Sequence, residues 1–166
     1  MKQVLLIISF SLFSYCSFAA ENYSIYLVRH AEKLPNSKNP ALTECGKARA
    51  KQLASMLLKA NITAIYSTSY QRTMQTAQPL ANLQKMAIKN YSPKHLQQFS
   101  LLLKQKNENA LVVGHSNTTP MLVEFLAKQE VSPLTEQDYQ YLYQVQYSNG
   151  QPLLTIFQQP LECKAS

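Results

Sequence analysis

Short apolar runs and longer stretches of helical spacing alternate along most of this chain. Residues 24–28, 62–66 and 110–114 read as strands, the last of the uninterrupted kind that is buried on both faces. Residues 86–88 predict a further short strand. Ala48, Ala50, Leu53, Ala54, Leu57 and Leu58 supply one face of a helix from Thr43 to about Lys59, with Thr43 as its cap and Gly46 in its first turn. Further helices are expected over residues 69–83, from Ser92-Pro93 to about Lys106, and from Thr119-Pro120 to about Lys128. Proline is tolerated in a first turn, so neither Pro93 nor Pro120 opposes this. The pattern then changes. Residues 141–147 and 153–157 flank Ser148-Asn149-Gly150-Gln151, a hairpin signal. The whole predicts an α/β fold of three layers, α/β/α. Its central sheet is mainly parallel, with an antiparallel hairpin at one edge.

The first residues stand apart from this alternation. Lys2 supplies one positive charge, residues 4–13 are nearly all apolar, and small residues follow at 17, 19 and 20. That is the layout of a signal peptide over residues 1–19, cleaved after Ala19. The apolar run is short for a membrane span and no stop-transfer pattern follows it. The expected product is a single domain, 20–166, in the periplasm or secreted, with no stable membrane insertion after cleavage. In that oxidising setting Cys45 and Cys163, the only cysteines after the leader, could form one disulfide. Neither has metal-like or redox-like spacing.

Loss of Lys2 takes the formal charge from +7 to +6. The excess is scattered, which favours anionic substrates in general. No basic stretch is long and aromatic-interleaved enough to suggest nucleic acid. Most of the ten tyrosines fall on strand or helix periodicity and read as structural.

Candidate chemistry gathers at strand ends. The chain has three histidines. His30, in Arg29-His30, follows the first strand directly, and His115 follows the strand over 110–114. In an open parallel sheet, ligands bind beyond the carboxyl ends of the strands, so both can converge on one crevice. Arg72, early in the helix after the second strand, can enter it too. Two arginines and two imidazoles suit a phosphoryl group: guanidinium forks match its oxygens, one imidazole attacks, and the other handles charge or protons. A metal is a weaker reading, because no carboxylate or cysteine lies at ligand spacing from the histidines. His95 reads as a solvated helix residue, and Ser67, Thr68 and Ser69 as a capping cluster.

These segments resemble the histidine phosphatase superfamily, also called phosphoglycerate mutase-like. Val28-Arg29-His30-Ala31-Glu32-Lys33 is similar to its Arg-His signature, with alanine in place of the usual glycine. Residues 42–50, 66–77 and 112–118 are similar to its second block, its arginine block and its second histidine block. The resemblance runs from about residue 25 to 158. It implies a phosphoglycerate mutase-like fold and a phosphoric-ester hydrolase that needs no cofactor and no metal. His30 would become phosphohistidine, Arg29, Arg72 and Asn117 would bind phosphate, and His115 would complete the pocket.

The family's usual carboxylic proton donor has no counterpart between Arg72 and Glu108. Glu32 is the local candidate, and a salt bridge to Lys33 or to an arginine in the pocket is its other reading. His115 as donor, or a leaving group needing little protonation, are the alternatives. Lys33, Lys38 and Arg49 are candidate rim charges. The expected substrate is a small phosphate ester or the terminal phosphate of an envelope glycan. A non-catalytic binder of phosphorylated sugars or envelope glycans and a phosphate-transferring mutase are the competing functions.

Overall fold

The computed structural model describes residues 22–161. Its elements are β1 (Tyr23–Arg29), α1 (Glu44–Leu57), β2 (Ala64–Ser67), α2 (Gln71–Gln84), β3 (Ile88–Asn90), α3 (Leu96–Lys106), β4 (Ala110–Gly114), α4 (Thr118–Ala127), β5 (Tyr141–Ser148) and β6 (Gln151–Gln158). The strands form one sheet in the order β3-β2-β4-β1-β5-β6. The first four are parallel to one another, β5 pairs antiparallel with β1, and β6 pairs antiparallel with β5 at the edge. This is the expected architecture.

Side-chain alternation divides the core into two. On one face Ile25, Leu27, Ala64, Tyr66, Ala110 and Val112 pack with Leu96, Phe99, Leu103, Leu122 and Leu126 of α3 and α4. On the other, Val28, Ile65, Leu111 and Val113 meet Leu53, Ala54 and Leu57 of α1 and Ala77, Leu80 and Ala81 of α2. Strands covered on both faces must be apolar throughout, which is why β4 carries no polar residue.

Local chemistry sets the ends. Thr43 caps α1 by accepting from the Gly46 amide at 3.0 Å. Asn149 and Gly150 have φ of 52° and 73°, the two positive values that a tight two-residue hairpin turn requires. The helix expected from Ser92-Pro93 begins only at Leu96. Ser92 instead turns the chain, its hydroxyl accepting from the Lys94 amide at 3.3 Å and its carbonyl from the His95 amide at 3.4 Å. His95 is the resulting N-cap residue of α3.

After β6 the chain turns back towards α1, where the Leu161 amide donates to Gln52 at 3.1 Å. Cys45, on the same helix, is disulfide-bonded. Its expected partner Cys163 lies outside the described residues, as does the leader expected over residues 1–19. No helix among the described residues is long and apolar enough to cross a membrane.

Candidate active site

Parallel pairing carries β1 and β4 to the same level, with Arg29 opposite Gly114. His30 extends the ladder by one bond, its amide donating to the Gly114 carbonyl at 2.9 Å. His30 and His115 therefore leave adjacent strands side by side. Their ring centroids are 5.6 Å apart with planes inclined by 69°. Gly114 lets this happen, because a Cβ there would come within 3.0 Å of the Thr119 and Tyr91 hydroxyls.

Hydrogen bonding fixes the state of each ring. The Nδ1 of His30 lies 2.8 Å from the Ala31 carbonyl, which can only accept. Nδ1 thus carries the proton, and the Nε2 lone pair is the free one. An Arg72 guanidinium nitrogen lies 3.3 Å from Nδ1 of His115 and can only donate. His115 therefore holds its proton on Nε2, which donates to the Thr68 hydroxyl at 3.0 Å. Thr68 in turn contacts the Thr73 hydroxyl at 2.9 Å. Burial lowers the His30 pKa to about 3. The Ala31 hydrogen bond opposes that shift, and the charges of Arg29 and Arg72 add to it. Burial, then Arg72 and Arg29, lowers that of His115 to about 4. Both rings are neutral in the free protein at neutral pH.

Arg29 is anchored by the loop before β5. One terminal nitrogen donates to the Thr135 carbonyl at 2.6 Å and the other to Glu136 at 3.1 Å, while the guanidinium stacks 4.1 Å over the Tyr139 ring. Arg72 stacks 4.5 Å over Tyr70. The Nε of each arginine is buried without a partner. A buried, unmatched guanidinium donor is costly unless a ligand completes it. Asn117 stands exposed at the start of α4, where aligned backbone amides favour an anion. Arg29, His30, Arg72, His115 and Asn117 all line one cavity of about 410 Å³.

Glu32 does not line it, and this corrects the expectation of a proton donor at that position. Both its oxygens accept from Arg49, with contacts of 2.6 to 3.0 Å. The Glu32 backbone carbonyl also accepts from the Thr43 amide at 2.9 Å and presses on Gly46, where any Cβ would collide with it. Glu32 and Arg49 thus clamp the His30 segment to α1. Arg49 is correspondingly buried rather than a rim charge, and Lys38 is not among the lining residues. Ala31, where the family pattern has glycine, is buried and has no positive φ, so its methyl group causes no strain.

Several lining residues escaped the sequence reading. Glu136 is the carboxylate on the cavity, and Lys94 and Tyr70 also line it, while Lys33 does so as expected. Thr68, read as part of a capping cluster, is the hydrogen-bond partner of His115. Position directly after a strand was a usable signal for Thr68. Glu136 lies in an irregular loop that offered none.

A sequence model of the histidine phosphatase superfamily, branch 1, matches residues 25–92, the segment carrying Arg29, His30 and Arg72. The protein histidine phosphatase SixA, solved with tungstate, is 15% identical with a TM-score of 0.68, covering 81% of this chain and 96% of its own. The chain has the histidine phosphatase fold. Mycobacterial glucosyl-3-phosphoglycerate phosphatase is 12% identical with a TM-score of 0.64, over 82% of this chain and 98% of that one. A phosphoserine phosphatase mutant from Entamoeba histolytica, solved with phosphoserine, is 17% identical with a TM-score of 0.58, over 80% and 95%. No curated protein matches in sequence.

Proposed function

We propose that the protein is an exported phosphatase that hydrolyses phosphate monoesters through a phosphohistidine on His30. The observation that carries this is the fixed tautomer of His30. Its Nδ1 is committed to the Ala31 carbonyl, which leaves the Nε2 lone pair free on a residue that lines the same cavity as Arg29 and Arg72. The Nε2 lone pair attacks phosphorus and the ester P–O bond breaks, its electron pair leaving with the alcohol oxygen, which departs as the anion and takes its proton from solvent. Arg29, Arg72 and Asn117 neutralise the phosphoryl oxygens. Burial first, then Arg72 and Arg29, keeps His115 neutral in the free site; a bound dianion offsets those charges, so His115 takes a proton from solvent and hydrogen-bonds a phosphoryl oxygen as a cation. Water then attacks phosphorus, the P–N bond breaks and phosphate leaves. The substrate is a small phosphate ester or the terminal phosphate of an envelope glycan.

The cavity's carboxylate, Glu136, is engaged by Arg29, which favours leaving groups that depart with little help. Aryl phosphates qualify. Phosphohistidine does as well, because solvent can protonate its distal ring nitrogen so that neutral imidazole leaves. A panel of aryl phosphates, sugar phosphates, phosphohistidine peptide and phosphorylated glycans should release free phosphate. The wild type should form an acid-labile phosphoenzyme, and H30A should lose both label and turnover by at least about 10³-fold. Folded protein that gives neither label nor turnover would sink the proposal.

The arginine pairing of Glu32 and of Glu136 also favours a second reading, a binder of phosphorylated sugars or glycans. Tight phosphate binding without phosphohistidine would select it. Phosphate moved between two positions of one sugar would select a mutase. Export predicts a mature N-terminus at residue 20 on protein recovered from the periplasm or medium. Intact Met1 on that protein would refute it.

A further inference from the structure

The two edges of the sheet are unlike. At one, β3 is three residues long and carries Lys89, the short and charged form in which edge strands usually resist pairing. At the other, β6 runs eight residues without a charge, and Leu153, Ile156 and Phe157 are 63%, 50% and 41% exposed along it. Leu154 packs against the core on the α4 side. The described chain does not return along this edge. After β6 it turns back over β5, where the Gln159 amide donates to the Gln140 carbonyl at 2.8 Å, and on to Gln52 of α1.

The backbone of β6 is open in the same way. Along an antiparallel strand the amides point alternately to one side and the other. Since the Gln159 amide points to β5, those of Phe157, Thr155, Leu153 and Gln151 do so too. The amides of Gln158, Ile156 and Leu154 therefore point outward. Pro152, with no amide to offer, falls in that outward set, the place an edge strand tolerates proline.

We propose that β6 is a dimerisation edge, pairing antiparallel with β6 of a second copy about a two-fold axis at Thr155. The inference does not depend on the phosphatase reading. Centring the axis on Thr155 overlaps nearly the whole strand and keeps like faces together. Leu153 then lies beside the partner's Phe157, and Leu154 beside the partner's Ile156. The outward amides of Leu154, Ile156 and Gln158 meet the partner's carbonyls at Ile156, Leu154 and Pro152. About six hydrogen bonds result across the axis, within the range of a stable interface. No charge meets a like charge. This self-complementarity is what selects a second copy as the occupant. The pairing also consumes both open edges and leaves the short, charged β3 at each end of one continuous sheet, a closed assembly.

A single edge strand buries less than the roughly 800 Å² a side of a standard interface, so the dimer should be reversible, with a Kd of about 1–100 µM. Sedimentation velocity of the purified protein from about 5 to 200 µM should show the mass rising towards twice that of the monomer. Thr155→Lys sets two ammonium groups against each other at the axis and should weaken the dimer by about five-fold or more. Ile156→Pro removes an outward amide from each copy while sparing the ladder to β5, and should weaken it by about ten-fold or more. Both variants should keep the far-UV circular dichroism of the wild type.

Thr155→Cys reads the register. Opposed residues of a non-hydrogen-bonded pair have Cα atoms about 4.5 Å apart, within disulfide reach. With oxidised glutathione that variant should give a covalent dimer that reductant releases, and Leu153→Cys, which faces Phe157, should not. Wild type that stays monomeric at about 200 µM would overturn the proposal, whether its outward β6 amides exchange freely or are protected by another segment of the chain. A dimer unaffected by both Thr155→Lys and Ile156→Pro would overturn it too, as would Leu153→Cys linking as readily as Thr155→Cys.

Discussion

The candidate site has two walls of different construction. One is made of strand ends: His30 and His115 leave β1 and β4 side by side, are buried, and have each ring tied by its own hydrogen bonds. The other is the loop before β5, where Glu136 keeps a side chain 75% exposed. The strand-end wall inherits its geometry from the sheet ladder, so it is as rigid as the core. Arg29 ties the loop wall to the site, reaching across to Thr135, Glu136 and Tyr139, while Val131 and Leu134 pack its start against the core. Phosphoryl chemistry needs fixed donors and nucleophile. Substrate choice needs surface that can vary, and loops supply it.

The most direct way to break that division is to cut the crossing residue. Arg29→Lys keeps the charge but loses the fork that serves loop and phosphate together. It should lower kcat/KM by about 10²-fold, the scale for one lost transition-state donor. Faster hydrogen exchange over residues 132–139 should accompany the loss. Arg72→Lys should slow turnover without that exchange change, because Arg72 touches Tyr70 and His115 rather than the loop. Unaltered exchange in Arg29→Lys would show that the loop holds itself.

Glu32 and Glu136 sharpen the contrast, since one carboxylate belongs to each wall. Glu32 is largely buried against Arg49, with side chains only 16% and 6% exposed. Glu32→Gln should therefore cost stability, about 1–3 kcal/mol by thermal or urea unfolding, below the range for a fully buried pair because glutamine still accepts one hydrogen bond. Its preference among leaving groups should stay that of the wild type. Glu136→Gln should leave stability alone and remove a competitor for Arg29. Inhibition by phosphate or tungstate should then tighten by about two- to five-fold, the scale of an exposed charge pair. A Glu32→Gln protein of normal stability that turns over only good leaving groups would restore Glu32 as the acid.

The same division decides what was legible in the sequence. Apolar runs and their caps announced β1, β4, α1 and the β5–β6 hairpin, because burial on both faces and turn chemistry are local properties. His30, His115 and Arg72 were legible because they directly follow such elements. The Ser92-Pro93 start of α3 was not. Whether a serine hydroxyl turns the chain or caps a helix depends on where β3 ends against β2. Glu32 could be read as an acid or as a salt-bridge partner, and its neighbours in sequence could not decide between them. Its partner Arg49 lies on the next helix, and pairing across that distance leaves no periodic trace. Glu136 and Lys94 sit in irregular segments, where position in the cavity comes from the fold alone.

The smallest expected effect is an absence of change, and it tests the buried wall directly. Burial holds His30 to a pKa of about 3 and His115 to about 4, against about 6.5 for an unperturbed imidazole. In the free protein the nitrogen-15 resonances of both rings should stay those of neutral imidazole from pH 7.5 down to pH 5. His30 should be protonated at Nδ1 and His115 at Nε2. The unfolded chain binds more protons at these sites than the folded one between pH 6.5 and the lowered values. The pair's contribution to stability is thus complete above about pH 6.5 and is lost as pH falls towards 4 and 3. Saturating phosphate should reverse the trend for His115 by drawing a proton onto Nδ1, making its ring cationic at a pH where the free site keeps it neutral. Either ring titrating near 6.5 without ligand would mean that the strand-end wall is wetter and looser than its packing implies. The distinction between a rigid chemical wall and an adaptable recognition wall would then fail.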